Sequence, residues 1–412
     1  MRSGGFAGIA TAAALLIAAP GAAAETFCVE KPSCDGTNQV TLQDAITAAG
    51  QTQGIPDRIE LGKASFEEGP YTASDDNPVK IVGSGRKHTT LKRSTNATFQ
   101  TVLSLNDSES TVSRLTVDVG DGDSSRGLLL AGKASDVLVK STSASVNQNG
   151  LYLQGGSLKK STVKLSNSSG SLGISMASGA KAREISVQAT QGINGAGEVD
   201  RARVTAVELG IASDFPGLEI DQATVLVTGT GATALRATSG AIATTPTVTT
   251  ARHVTLVGDP SDGGTGAEAV ASPALSFLGG SAELTLRNAI IRGFADDVRR
   301  VGAEGNTCPP GCPAAASVDV AWTVYHPAKI TDSGPGTFTV GAGNRNTDPR
   351  LVNPEAGDYR LKASSKLIDT AQKTKPAAGE SKVDLDGRKR VADGDGNGKA
   401  RRDYGAFERP KP

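Results

Sequence analysis

Two columns of residues recur along the middle of the chain, and they constrain its fold more than any other feature. The segments VSRLTV, ASDVLV, LKKSTV, AREISV, VDRARV, IDQATV and TTARHV end at Val117, Val139, Val163, Val187, Val204, Val225 and Val254. Successive valines lie 22, 24, 24, 17, 21 and 29 residues apart. A second column runs beside them: GLLL from Gly127, GLYL from Gly150, GISM from Gly173, GING from Gly192 and GIAS from Gly210. Two short segments recurring together at a drifting period near 22 residues mark a solenoid, in which each repeat buries its apolar side only against its neighbours.

Within the segments apolar residues alternate with polar ones, as in Leu115/Val117, Val137/Val139, Val163/Leu165 and Ile185/Val187, which is strand spacing. The drift also has a location. From a valine to the next apolar position is 11 residues at Val117, 12 at Val139 and 11 at Val163, but 6 at Val187 and 7 at Val204. A turn has shortened while the strands keep their places, as expected where a loop varies and a strand cannot. Stacked coils would set like residues above like, about 4.8 Å apart. The glycine that opens each second segment is expected at a corner needing an unusual backbone angle. Composition agrees: Gly 50 of 412 residues with 4 % aromatics describes many turns around a narrow core. Lys plus Arg number 43 against 43 Asp plus Glu, which gives no electrostatic reason to expect nucleic acid as a partner.

The ends read differently. Arg2, the apolar stretch Phe6 to Ala19 and Ala22-Ala23-Ala24 form a secretory signal over residues 1–24. Its apolar run is shorter than the ~20 residues a bilayer span needs, so an exported chain without a membrane span is expected, extracellular or periplasmic. Residues 25–78 are expected to cap the solenoid at its N-terminal end. Within them TLQDAITAAG predicts a helix over 41–50: Thr41 and Asp44 have capping spacing, Leu42, Ala45, Ile46 and Ala49 make one apolar stripe, and Gly50 ends it. The β-helix proper is placed at 79–312 and an irregular cap or appended module at 313–412. Four cysteines suit an oxidising compartment. They permit three pairings, and their clustering favours Cys28 with Cys34 and Cys308 with Cys312 over bridges along a rod. A zinc site is the rival reading, weakened by the lack of histidine neighbours.

At this point the chain resembles the secreted right-handed parallel β-helix proteins of the pectin-lyase-like superfamily. More closely it is similar to bacterial members that end in a choice-of-anchor Q module. The N-terminal likeness rests on Cys28, Cys34, TLQDAITAA, DRIEL (57–61) and VKIVGSG (79–85). Mid-chain it rests on ARHVTLVGD (251–259) and LTLRNAIIRG (284–293). The distinctive part is C-terminal: GNRNTDPRLV (343–352), GDYRL (357–361), SSKLIDTA (364–371), DLDGRKRVADGDGNG (384–398) and DYGAFE (403–408). The resemblance implies an all-β, right-handed parallel β-helix. It also implies a choice between enzymes acting on polysaccharides and members that only bind or attach. Ser-Lys-Leu-Ile-Asp stands where that group usually carries Ser-Pro-Ala-Ile-Asp, and the chain ends soon after the final Glu408.

Enzymes of that superfamily are lyases, which neutralise a uronate carboxylate and use a Lys or Arg base, or hydrolases, which gather carboxylates on one face. The column after the valines reads Asp118, Lys140, Lys164, Gln188, Thr205, Leu226, Thr255, and the column before reads Thr116, Leu138, Thr162, Ser186, Arg203, Thr224, His253. Neither holds neighbouring carboxylates. Lys140 and Lys164 are adjacent and offer a face for an acidic sugar, against a plain solvated lysine ladder. The three histidines, His88, His253 and His326, fall in no metal or triad motif. Calcium is the candidate cofactor. Asp393, Asp395 and Asn397 follow the Asp-x-Asp-x-Asn-Gly start of a calcium loop, whose usual closing Glu is here Tyr404, with Asp403 one before it. The alternative is a Gly/Asp-rich turn without an ion. Asp384 and Asp386 lie close in sequence, and the loop Asp118, Asp121 and Asp123 is a weaker candidate of the same kind. The function expected is therefore a monomeric, exported, non-catalytic β-helix that binds glycans or a cell-surface partner. The alternatives are a polysaccharide lyase or glycoside hydrolase, and a structural envelope protein.

Overall fold

The computed structural model describes residues 24–51, 55–74, 78–94, 98–239, 245–271, 280–303, 314–373 and 380–411. Its strands form one long sheet system in which every pairing between coils is parallel. The fold is a parallel β-helix, the class the repeat implies. Each coil contributes to three ladders. In the first, Tyr71, Leu103, Leu128, Leu151, Ile174, Ile193, Ile211, Leu235, Ala267, Val298 and Ile330 are successive partners. In the third, Leu91, Val117, Val139, Val163, Val187, Val204, Val225, Leu256 and Ile291 follow one another. The partner of Val225 is Leu256, so Val254 sits two places from the column where the sequence put it. Both residues are buried, and a strand's period of two cannot tell two inward positions apart.

The second ladder corrects the expected limits of the solenoid. It runs through Phe27, Ile59, Ile81, Val112, Ala134, Leu158, Ala182, Val199, Ile220, Ala251, Leu286, Val320 and Val340. Coiling therefore starts in Thr26–Val29 rather than at 79, and continues through Gly336–Val340 rather than stopping at 312. Those outer coils were hidden because the valine and glycine columns of the middle are absent from them. The helix Leu42–Ala49 forms as expected, with Thr41 Oγ1 accepting from Asp44 N at 3.0 Å. Leu42, Ala45, Ile46 and Ala49 are buried in one core with Phe27 and Ile59, so the helix covers the first coils. Thr37–Gln39 pairs along Thr26–Val29 and shields backbone groups of that edge strand.

Two corner devices let the coils close. Gly127, Gly150, Gly173, Gly192 and Gly210 do open the first-ladder strands, but their backbone angles are not left-handed. They are glycine because a Cβ at Gly150, for instance, would lie 2.5 Å from Val163 Cγ1 and 2.6 Å from Gly173 O. The left-handed corner is elsewhere, between second and third ladders, and is occupied by Arg114, Asp136, Lys160, Glu184, Arg201, Gln222, His253, Asn288 and Trp322, all at φ 49–64°. An L-residue pays roughly 1 kcal/mol or more for this conformation, and each coil here pays it at the same place.

Beyond Val340 the chain turns back. The hairpin Leu351–Asn353 with Asp358–Leu361 and the mostly irregular segments after it build a second core of Leu351, Tyr359, Leu361, Leu367, Ile368, Leu385, Tyr404 and Phe407 against Ile290 and Val324. Tethers run along the flank: Arg203 Nη2 to Asp386 Oδ1 at 2.7 Å, Ser381 N to Asp221 Oδ2 at 2.6 Å, Ala406 N to Thr255 Oγ1 at 3.1 Å and Tyr404 Oη to Gly343 O at 2.6 Å. The C-terminal segment is thus a lateral module clamped to the side of the rod. No helix among the described residues is long and apolar enough to cross a membrane.

Candidate functional site

Alternation turns Ala182, Val199, Ile220 and Ala251 inward, so the residues beside them on four successive coils point out. One outward row reads Lys181, Glu198, Glu219, Thr250, and the next Arg183, Asp200, Asp221, Arg252. Together with Arg201 and Ser381, the residues of these rows other than Thr250 line a cavity of about 490 Å³. Four carboxylates meet four cations in it. Lys181 Nζ lies 2.8 Å from Glu198 Oε1 and Arg183 Nη2 3.3 Å from Glu198 Oε2. Arg252 Nη1 is 3.8 Å from Glu219 Oε2, and Arg201 reaches Glu184 at 2.8 Å and Asp200 at 3.6 Å. The hydrogen bond from Lys181 holds Glu198 below the ordinary carboxylate range.

Asp200 and Asp221 behave differently because they sit deeper. Burial raises both, Asp221 to about 6, where the Ser381 backbone N–H only partly offsets it. Register partners stand about 5 Å apart, a separation suited to a pair of glycosidase carboxyl groups. Yet Oδ1 of each is buried and has no hydrogen-bond partner, and Ser381 N occupies Asp221 Oδ2. Among the described residues no aromatic ring lines the cavity. The pair lies four residues before Val204 and Val225, visible in VDRARV and IDQATV, one ladder away from the columns that flank the valines.

Behind this groove runs a seam of buried ion pairs inside the lateral module, tied to the rod through His253. Arg390 Nη1 meets Glu408 Oε1 at 3.0 Å and Arg402 Nη1 meets Glu380 Oε1 at 3.0 Å, all four side chains at most 5 % exposed. His253 Nε2 is 2.6 Å from Glu380 Oε1 and the ring is fully buried. Desolvation, with help from Arg390 and Arg402, drives its pKa down to about 3 despite Glu380. A base held neutral in the fold contributes stability above its unfolded pKa of 6.5 and loses it as pH falls toward 3. From pH 6.5 to pH 5 this costs about 2 kcal/mol. The expected result is that wild-type urea stability drops by that much more than in His253→Gln between pH 7 and pH 5. Equal slopes would refute a buried neutral histidine.

The residues singled out in the sequence are scattered. Lys140 and Lys164 are register partners on the third ladder, away from the groove, and Lys140 Nζ lies 3.6 Å from Asp118 Oδ2. Asp118 and Asp123 accept from the Gly120 and Val146 backbone N–H groups. Cys28 and Cys34 are disulfide-bonded with Cα atoms 5.9 Å apart; Cys308 and Cys312 fall outside the described residues. His88 is exposed, and His326 Nδ1 accepts from Ala328 N. Asp384 is buried and accepts from the Asp386, Arg388 and Glu408 backbone N–H groups. Asp393 and Asp395 converge with Asp369, which the sequence did not suggest. Asn397 Nδ2 donates to Asp395 Oδ2 at 2.7 Å. Asp403 is buried, with its two oxygens accepting from the Asp369 and Arg409 backbone N–H groups.

Fold and groove define a parallel β-helix with a charged lateral cleft. No protein-family model matches the chain, and no curated protein is similar to it in sequence. Among solved structures the chain is similar to the pectate lyase Pel9A, at 11 % identity over 94 % of this chain and 98 % of that one, TM-score 0.44. It is also similar to the catalytic domain of a GH87 α-1,3-glucanase in complex with nigerose (13 %, 79 % and 70 %, TM-score 0.38). A third is the A-module of the Azotobacter vinelandii mannuronan C-5 epimerase AlgE6 (11 %, 74 % and 95 %, TM-score 0.35). Likeness at these scores carries no argument about substrate or reaction.

Proposed function

We propose that this is an exported, non-catalytic β-helix protein that binds glycans in the groove of Lys181, Arg183, Glu198, Asp200, Glu219, Asp221 and Arg252. The observation that carries the reading is the state of Asp200 and Asp221. Each of the two carboxyl groups best placed for acid–base work keeps one oxygen, Oδ1, buried away from the cavity, and the Ser381 N–H occupies Asp221 Oδ2. The accessible groups are a ladder of cations and glutamates, able to make charge-assisted hydrogen bonds to sugar hydroxyls and carboxylates. Interlocking of Asp384, Arg390, Asp403, Tyr404 and Glu408, all motif residues, supports reading the lateral segment as a choice-of-anchor Q module. A bound glycan chain and a surface-attached partner are the ligands of this reading. The paired cysteines 28 and 34 favour an oxidising, extracellular setting.

The test is a glycan array of uronate and neutral polysaccharides, followed by titration of the best ligand. Arg183→Ala with Arg252→Ala is expected to weaken binding at least tenfold, while Lys140→Ala with Lys164→Ala leaves it unchanged. The reverse pattern moves the site to the lysine ladder, and no binding at all favours a structural envelope protein. One observation favours a second reading, glycoside hydrolysis: stacked carboxyl groups with Asp221 at about 6 are what such chemistry uses. Release of reducing ends by the wild type, abolished in Asp221→Asn, would establish it. Unsaturated product absorbing at 235 nm would establish a lyase instead.

A further inference from the structure

We propose that Asp369, Asp393 and Asp395 form a calcium site that staples the glycine-rich loop 393–398 to the segment around Leu367 and Ile368 in the core of the lateral module. One oxygen from each carboxylate lies within 4.8 Å of the others, about twice the 2.3–2.6 Å of a calcium–oxygen bond. The second observation is independent of that clustering. Asp369 is only 4 % exposed; its Oδ2 accepts from Asp395 N at 2.9 Å, and its Oδ1 is buried with no partner. Asp393 repeats the pattern, with Oδ2 accepting from Gly398 N at 3.1 Å and Oδ1 buried and unpartnered. A buried carboxylate oxygen without a donor is costly, and two of them belong to the same group of three acids. Lys411 offers a cation to one edge of the group, its exposed ammonium 3.8 Å from Asp393 Oδ2.

The donor set decides the kind of metal. All three ligands are hard oxygens, with no histidine or cysteine in the group, which suits calcium or magnesium rather than zinc or copper. Three carboxylates also bring more negative charge than magnesium sites commonly use, since magnesium keeps much of its water. The site differs from the one suggested by residue spacing alone. Asp369, 24 residues upstream of Asp393, takes a ligand position, while Asp403 serves as a backbone acceptor beneath it and Asn397 braces Asp395. Bound calcium would therefore join the SSKLIDTA and DGDGNG segments, two stretches that share no strand pairing.

The experiment is calorimetric titration of chelator-treated mature chain with calcium chloride, paired with thermal melts. One calcium per chain is expected, with a dissociation constant of about 10⁻⁴–10⁻³ M or tighter, as in extracellular modules, and a melting temperature several degrees higher with calcium than with chelator. Asp369→Asn should weaken binding at least tenfold. Should that buried variant misfold, the exposed Asp395→Asn gives the same reading without disturbing the core. Absence of heat and of any thermal shift overturns the proposal. So does magnesium binding as tightly as calcium, or wild-type affinity in both variants.

Discussion

Gly210→Val is expected to yield no folded protein, and Gly210→Ala to lose about 3 kcal/mol, the upper end of overpacking costs. A Cβ at this position would stand 2.2 Å from Val225 Cγ1 and 2.4 Å from Ala234 O. The first contact is with the inward valine of the third ladder, the second with the backbone of the next coil. Neither can retreat, because the coil above and the coil below fix both through ladder hydrogen bonds. Gly155 supplies the control. Its φ is +84° but nothing lies within 4 Å of an added Cβ, so Gly155→Ala pays only the left-handed strain of about 1–2 kcal/mol. Urea unfolding of both alanine variants separates the mechanisms. Equal costs would show that close approach is not what makes the column glycine.

The second large effect is expected at Arg390. Arg390→Met leaves the Glu408 carboxylate, 2 % exposed, facing only the Asp403 backbone N–H on its other oxygen. Breaking one side of a buried pair costs about 3–5 kcal/mol, and the lateral module should unfold before the rod melts. Arg390→Met with Glu408→Gln removes both charges but keeps the acceptor for Asp403, so the double variant should recover most of the loss. The pH dependence has a definite sign. Burial already raises Glu408 well above its ordinary pKa, and such an acid costs stability as pH rises past its unfolded value. The single variant should therefore be closer to wild type at pH 5 than at pH 8. A single variant as stable as wild type would mean that the pair does not hold the module together.

The middle of the solenoid was legible because its coils obey two strict rules, an inward branched residue and a glycine corner. Val117 through Val225 and Leu128 through Ile211 fall in register as the spacing implied. Legibility failed where several arrangements share one pattern. Val254 and Leu256 are both inward, and period two alone ranks neither. The glycines were recognised at the right positions for the wrong physical reason: their need is closeness, and the unusual angle belongs to Arg114, Asp136 and their successors. Thr26–Val29 and Gly336–Val340 lack both column marks, so the rod looked shorter than it is. The candidate sites were harder still. Asp200 with Asp221, and Asp369 with Asp393, are neighbours only through register or through the return of the chain along the flank. The two columns beside the valines do not contain the first pair, and loop spacing does not connect the second.

The left-handed corner has a wider consequence. Arginine, aspartate, lysine, glutamate, glutamine, histidine, asparagine and tryptophan all occupy it, so the backbone there does not ask which side chain it carries. It fixes an address and leaves the content open. Gln222, His253 and Asn288 of this line are buried, but Arg114, Asp136, Lys160, Glu184 and Arg201 reach the surface, and there a scaffold can change what it displays without re-solving how it folds. New recognition can then arise by single substitutions at those positions, coil by coil, with the core left untouched.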